Sequence, residues 1–249
     1  CRNASAEIAE AIGMNYAFAL EFIGLTDPED PKGYGGNTLF SRWPIKRASV
    51  LHLPQGYNWY FDAQKRIGER VAILAVLDVA GREVGAVCAH LENKTHAAAR
   101  ALQMRVLLDE VDRLLPGMPV FMGGDFNTNT YDGADLEAAG FYLREQQLGM
   151  PPRDVAASEP LLQMAEAAGF SYRDCNDLDT MTRRKPLPAG VLRMHLDWIF
   201  LRGMTCLDRG TVSTEVKDWD WMAEDSPLRR FGRAELTDHD AVWALCVPL

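Results

Sequence analysis

Apolar positions along the chain change period several times, and each change marks an element. From Ser5 to Ile12 the residues Ala6, Ile8, Ala9 and Ile12 fall on one helical face, and Gly13 ends the run. Gly36 to Trp43, closed by Pro44, has the length and bounds of a short strand. Arg70 to Val79 and Glu83 to Leu91 are rich in Val and Ala and flank the turn Ala80-Gly81-Arg82, which predicts a β-hairpin. Ala97 to Leu115 places Met104, Leu107, Leu108, Val111, Leu114 and Leu115 at helical spacing, and Pro116-Gly117 stops it. Pro119 to Met122 is a short apolar run meeting a Gly-Gly turn, as a buried strand does. A further helix is predicted over Glu159 to Ala168, a strand over Leu192 to Arg202 and a closing strand over Ala241 to Val247. The stretches Gln146 to Glu159, Asp177 to Gly190 and Glu215 to Leu236 read as long irregular loops, which in a compact domain usually carry function. Strands outnumber helices, hairpins mix with helical crossovers and no linker interrupts them. The expected architecture is one α/β domain over residues 1–249, with two mixed sheets packed face to face.

Composition narrows the class. The chain has 249 residues, 47% hydrophobic and 24% charged, which excludes global disorder. No apolar run approaches the roughly 20 residues of a membrane-spanning helix, so stable membrane insertion is not expected. Thirty-five acidic against 26 basic residues give a net charge of −9, so charge alone would not hold the chain to nucleic acid. An enzyme is compatible with that balance, because a divalent cation bridges acidic groups to a phosphate. The 5 cysteines are scattered and never form a Cys-x-x-Cys pair, which argues against a disulfide framework and a zinc ribbon. Cys88 and Cys246 lie in apolar runs and read as small core residues. This cysteine usage and the lack of a signal-peptide pattern favour the cytoplasm. The opening at Cys1, without an initiator Met, raises the expectation of an upstream segment that could hold a targeting signal.

The sequence has no phosphate-cradling Gly-x-x-x-x-Gly-Lys loop, dinucleotide fingerprint, Gly-x-Ser-x-Gly elbow or His-Glu-x-x-His. Polar residues gather instead at strand ends. Gly123-Gly124-Asp125-Phe126-Asn127-Thr128 follows one apolar run, Asp238-His239-Asp240 precedes the last strand, and His90-Leu91-Glu92 closes another. Asp197 stands within His195-Leu196-Asp197-Trp198-Ile199-Phe200, where a carboxylate is costly unless paired or liganded. Taken singly, each has an ordinary reading as a turn or a hydrogen-bonded core group. Together they suit a hard cation, an activated water and stabilisation of phosphoryl oxygens.

Gly123-Gly124-Asp125-Phe126-Asn127, Leu196-Asp197-Trp198-Ile199-Phe200 and Thr237-Asp238-His239-Asp240 resemble three signatures of the endonuclease/exonuclease/phosphatase superfamily, in its order. Gly36-Asn37-Thr38-Leu39-Phe40-Ser41-Arg42 is similar to its Gly-Asn-Ala-Ile-Leu-Ser-Arg strand. His90-Leu91-Glu92, with Arg100 and Gln103 in the helix that follows, resembles the histidine strand of its pancreatic-deoxyribonuclease-like branch. The resemblance implies a four-layer α/β sandwich and hydrolysis of a phosphoester that depends on a divalent metal. Mg²⁺ is the usual ion, with Mn²⁺ or Ca²⁺ as alternatives. It implies that Asp125 orients or deprotonates the attacking water, that Asn127 holds phosphoryl oxygens and that His239 contacts the phosphate. Asp197 would orient the site by pairing with a histidine, and His90 would assist the leaving group or phosphate. Asn37, Asn127 and His90 would contact substrate, and Asp238 with Asp125 would hold metal. The family's first strand Asn and its principal metal-ligand Glu have no counterpart here, as if the first strands were missing. Glu7 and Glu10 read as solvated helix positions, Glu21 as a remote substitute and Glu92 as a residue of uncertain role.

The loops must choose the substrate. Gly56-Tyr57-Asn58-Trp59-Tyr60-Phe61 and Trp219-Asp220-Trp221-Met222 are aromatic runs that either pack as anchors or grip a base or an alkyl chain. Arg183-Arg184-Lys185, and Arg229-Arg230 with Arg233, are either solvated surface or holders of further phosphates. The acidic total and aromatic loops favour a small or lipid-headgroup phosphodiester over nucleic acid, and no protein partner is inferred. A nuclease acting on abasic or other DNA, or a phosphate-binding module of impaired activity, are the alternatives.

Overall fold

The computed structural model describes residues 3–25, 33–215 and 236–249. The elements in chain order are α1 (Ala4–Ile12), β1 (Asn15–Gly24), β2 (Tyr34–Ser41), β3 (Ile45–His52), β4 (Arg66–Gly68), β5 (Val71–Val79) and β6 (Arg82–His90). There follow α2 (Ala97–Leu114), β7 (Val120–Asp125), α3 (Leu136–Gln147), α4 (Val155–Ser158), α5 (Pro160–Ala167), β8 (Arg183–Leu187), β9 (Gly190–Met194), β10 (Asp197–Arg202), β11 (Met204–Val212) and β12 (Ala241–Pro248).

A 5-stranded sheet in the order β10-β7-β6-β5-β3 is the spine. Its pairings are antiparallel except β6–β7, which is parallel because α2 carries the chain back across the sheet. β5 is apolar on both faces, as a central strand between two layers must be. On the outer face Leu74, Val76, Val87, Met122 and Phe200 pack against Met104, Leu107 and Val111 of α2 and Leu161 of α5. On the inner face Ile73, Ala75 and Ala86 meet Ala19 of β1 and Leu39 of β2. Farther along, Ile199 and Leu201 meet Val242, Ala244 and Cys246 of β12. The opposing layer consists of a 3-stranded sheet β2-β1-β4 and the hairpin β11–β12. This is the mixed α/β sandwich with two main sheets that the sequence predicts.

Between β2 and β12 lies an apolar cavity of about 570 Å³ floored by Ala86, Cys88, Phe121 and Gly123 of the large sheet. The polar groups described below converge elsewhere, at the end of the same sheet.

The predicted hairpin turns through Ala80 and Gly81, both at positive φ, and α1 ends on Gly13 in the left-handed region. Three readings need correction. The run Leu192 to Arg202 is two strands, β9 and β10, broken at His195-Leu196, where His195 turns inward onto the carbonyl of Thr180. Asp177 to Gly190 is not irregular throughout, since β8 pairs with β9 inside it. Gln146 to Glu159 likewise holds the short helix α4. Most of Glu215 to Leu236, with Trp219-Asp220-Trp221-Met222, Arg229, Arg230 and Arg233, lies outside the described residues, as does Cys1.

Candidate active site

Sheet register gathers the first three groups. His90 at the end of β6 is the register partner of Asp125 at the end of β7, and Asp125 is the partner of Asp197 at the start of β10. Side chains alternate faces along a strand, so His90 continues the inward row of Ala86 and Cys88. Asp125 likewise continues Phe121 and Gly123, and Asp197 continues Leu201 and Ile199. The apolar inter-sheet face therefore ends in a polar rim.

Gly124 makes the approach feasible. Its φ is +148°, and a Cβ there would lie 1.9 Å from the carbonyl oxygen of Ala89 in β6. Beyond it the chain turns at once. The Asp125 carboxylate accepts the Asn127 backbone N–H at 2.9 Å, and Asn127 takes a left-handed conformation that asparagine tolerates. The Phe126 N–H donates to Leu196 O and the Leu91 N–H to Asp125 O, each at 2.9 Å, so the turn is tied to both neighbouring strands.

His239 arrives from the opposing layer, just before β12. Its Nδ1 lies 2.8 Å from Asp197 Oδ2, and its Nε2 faces Asp125 Oδ2 at 3.9 Å. Arg184 fixes its loop. That buried guanidinium donates to Asp240 at 2.5 Å, to Thr214 Oγ1 at 2.7 Å and to Thr237 O at 2.9 Å, while Thr214 Oγ1 donates to His239 O at 2.7 Å.

His90 mirrors this arrangement. Its Nε2 lies 3.6 Å from Asp125 Oδ2, and its Nδ1 lies 3.1 Å from Glu21 Oε2. Glu21, read from the sequence as only a remote substitute for the absent metal-ligand Glu, lies beside His90: Ala17, Ala19 and Glu21 alternate inward along β1, which brings the carboxylate to the end of the sandwich. A polar residue in phase with two inward alanines was the signal available in the sequence. Buried Arg70 bonds Glu21 Oε1 at 2.5 Å and reaches Glu92 at 3.3 Å, and it lies 2.8 Å from His90 Nε2. Glu92 also accepts the Trp59 indole N–H at 2.9 Å, and its own backbone N–H donates to Gln103 of α2 at 2.9 Å. Glu92 is therefore an anchor for Arg70 and for the Tyr57–Phe61 loop.

Electrostatics follow from this packing. Burial raises the Asp125 pKa, and the charge of Asp197 adds to it against the opposing pull of His90 and His239. Burial disfavours the charged form of His239, but the hydrogen bond and charge of Asp197 outweigh it, so its pKa lies above the ordinary histidine value. Burial would raise Glu21, yet His90 and Arg70 prevail and hold it below the carboxylate range.

Asp125, Asp197 and His239 each offer a donor atom within 4.8 Å of the others, a cluster of hard oxygen and nitrogen groups suited to a divalent cation. Asp238 stands apart from it. Its half-exposed carboxylate pairs with Arg183, so its expected part as a metal ligand has no support in its placement. Asn37 donates its amide to Val71 O at 2.7 Å and ties β2 to β5. Asn127 is buried beside Asp125 with its amide donating to Leu91 O at 2.9 Å. Glu7 and Glu10 are exposed on α1.

The model of the Endonuclease/Exonuclease/phosphatase family matches residues 3–239. The chain belongs to that family. Members of the endonuclease/exonuclease/phosphatase family are hydrolases acting on phosphoester bonds. No curated protein matches the chain. Among solved structures, it is similar to an endonuclease/exonuclease/phosphatase from Beutenbergia cavernae, with 20% identity and a TM-score of 0.61. That match covers 98% of this chain and 56% of the other, so the chain spans little more than half of that protein. It is similar to D. rerio TDP2 complexed with single-strand DNA product, with 17% identity, a TM-score of 0.53 and 97% and 81% coverage of the two chains. It also resembles a mannosyl-6-phosphatase of Bacteroides thetaiotaomicron, with 14% identity, a TM-score of 0.56 and 97% and 80% coverage. At these identities the likeness is one of fold. No helix among the described residues is long and apolar enough to cross a membrane.

Proposed function

We propose that the chain is a divalent-metal-dependent phosphodiesterase that cleaves its substrate by in-line attack of water. The observation that carries this reading is the convergence of two histidine Nε2 atoms on Asp125 Oδ2, at 3.6 and 3.9 Å, each ring held at Nδ1 by its own carboxylate. Such a pair of oriented imidazoles about one carboxylate suits a reaction in which water loses a proton and an alkoxide gains one.

The donor set fits Mg²⁺ or Mn²⁺, which Asp125 and Asp197 would hold. When bound, the ion supplies positive charge to the phosphoryl oxygens and lowers the pKa of water. Asp125, with its pKa raised by burial, orients the attacking water and accepts its proton. His239, whose pKa Asp197 holds above the ordinary histidine value, donates from Nε2 to the phosphate or to the departing oxygen. His90, oriented by Glu21, presents its Nε2 from the opposite side of Asp125. Asn127 and Asn37, whose amides donate to Leu91 O and Val71 O, brace the turn and β2 beside the rim. A small phosphodiester is the favoured substrate, since the chain's charge of −9 opposes capture of a long polyanion.

The test is hydrolysis of bis(p-nitrophenyl) phosphate in Mg²⁺, Mn²⁺, Ca²⁺ and EDTA, beside His239→Ala and beside the monoester p-nitrophenyl phosphate. Metal-dependent turnover of the diester, lost in the variant, supports the reading. Preference for the monoester would replace it with a phosphatase. Absence of metal-dependent turnover from a folded chain would overturn it in favour of a phosphate-binding module.

A further inference from the structure

We propose that Lys185, with Arg183 and Lys94, forms a second anion subsite beside the Asp125–His239 centre, so that the substrate carries a further phosphate besides the one attacked. The inference deepens the phosphoester reading and rests on it for the identity of the reacting group.

Strand alternation begins the argument. On β8, Arg183 and Lys185 are half-buried on one side while Arg184 is buried on the other, where Asp240, Thr214 and Thr237 hold it. Arg184 is thus structural, and its neighbours face a different space. Arg183 forms an isolated backbone bridge with His239 and pairs with Asp238. The Lys185 ammonium lies 5.8 Å from the ring centroid of Tyr131, which follows Asp125 and Asn127 on the loop leaving β7. Lys94 lies on the loop leaving β6 after His90, pairs with Asp62 and stands 5.4 and 5.0 Å over the rings of Tyr57 and Trp59. Each cation therefore sits on, or touches, a segment that also delivers His90, Asp125 or His239.

Charge bookkeeping singles out Lys185. Asp238 balances Arg183 and Asp62 balances Lys94. Lys185 has no carboxylate partner among the described residues, and only burial and the like charges of Arg183 and Lys94 act on it, which lowers its pKa. Arg183 and Lys94 are already paired, so Lys185 is the half-buried cation that an anion would balance, and the Asn129 amide, donating to Asn93 O at 3.0 Å, holds the loops of Tyr131 and Lys94 together. His90 and His239 already face Asp125, whereas Lys185 contacts Tyr131, so the anion it receives is displaced from the phosphate under attack. A phosphate fits this set through charge-assisted hydrogen bonds to the ammonium and the guanidinium.

Isothermal titration of the metal-free protein tests the subsite independently of turnover. Thymidine 3′,5′-bisphosphate is compared with thymidine 5′-phosphate, and fructose 1,6-bisphosphate with fructose 6-phosphate. At least one bisphosphate should bind about tenfold tighter than its monophosphate, the scale of one added charge-assisted contact. The pair that shows the gain identifies a nucleoside or a sugar scaffold. Lys185→Gln should reduce the advantage to within about twofold and Lys185→Arg should keep it, since the charge is retained. Equal affinities in both pairs for the unaltered protein, or an advantage that survives Lys185→Gln, would overturn the proposal. A clear advantage with no hydrolysis of bis(p-nitrophenyl) phosphate would leave the subsite standing and remove the phosphodiesterase reading.

Discussion

Two histidines approach Asp125 with a carboxylate behind each, and the two sides differ by one guanidinium. Behind His239, Asp197 has no other ion-pair partner among the described residues than the imidazole it holds. Behind His90, Glu21 is shared with buried Arg70, whose other arm reaches Glu92. A carboxylate left to one imidazole favours the cationic ring, whereas a carboxylate already balanced by arginine mainly fixes ring direction. On the proposed mechanism, similar geometry serves unlike parts: His239 would carry the proton and His90 would stand as its oriented neighbour. The contrast also shows how packing gives a strand residue its partners, since Glu21 of β1 meets Arg70 and His90 only through what β5 and β6 place opposite it.

The largest test of this contrast is Asp197→Asn. It should lower kcat/KM by roughly 10²–10⁴-fold, the span of a general acid–base contribution. It should also move the alkaline limb of the rate profile to lower pH, because the charge that raises His239 is gone. Stability carries the same sign. The raised His239 pKa stabilises the fold fully below the unfolded value near 6.5 and loses that contribution as pH climbs through the folded value. Urea midpoints of the two proteins should therefore differ most in mildly acidic buffer and converge at alkaline pH.

Arg70→Met attacks the other side through stability. It strands Glu21 and Glu92 in a buried place without their cation, and a loss of about 3–5 kcal/mol in denaturant melts is expected. A loss below about 1 kcal/mol would show that water reaches these carboxylates and that the two sides are less distinct.

Sequence made part of this site legible and hid the rest for physical reasons. His90, Asp125, Asp197 and His239 stand out because each interrupts, ends or directly precedes an apolar strand, where a polar side chain needs a purpose. The hairpin β5–β6 and helix α2 were equally plain, since both bury full apolar faces. β3 was obscured as a sheet-edge strand whose residues are mostly exposed, which erases alternation. β8 was obscured by its charges, because Arg184 is stable in a buried position only through Asp240 from a distant segment. Arg70 carried no signal of its own: its meaning lies in Glu21 and Glu92, far apart in the chain.

Glu21→Gln sharpens the comparison at smaller scale. If the carboxylate chiefly aims His90, kcat/KM should fall by about tenfold with little movement of the pH profile, well short of the Asp197→Asn effect. A loss equal to that of Asp197→Asn would make the two sides equivalent and sink the assignment of the proton to His239.

The smallest effect concerns the loop anchored on the His90 side. Burial would raise Asp62, but Lys94, the Gln64 N–H and Tyr57 hold it down to about 2. Its contribution is present above the ordinary carboxylate value and lost as pH falls toward about 2, so Asp62→Asn should remove about 1–2 kcal/mol at neutral pH and almost nothing at the acid end. Urea melts across that range check it.

Gly124 has a consequence in the language of codons. Every missense change of one base in a glycine codon installs a Cβ, and here that atom would meet the Ala89 carbonyl, whatever the new side chain. The strand pairing that aligns His90 with Asp125 cannot be adjusted by such single steps. Mutational routes that re-space His90 and Asp125 are closed at this position.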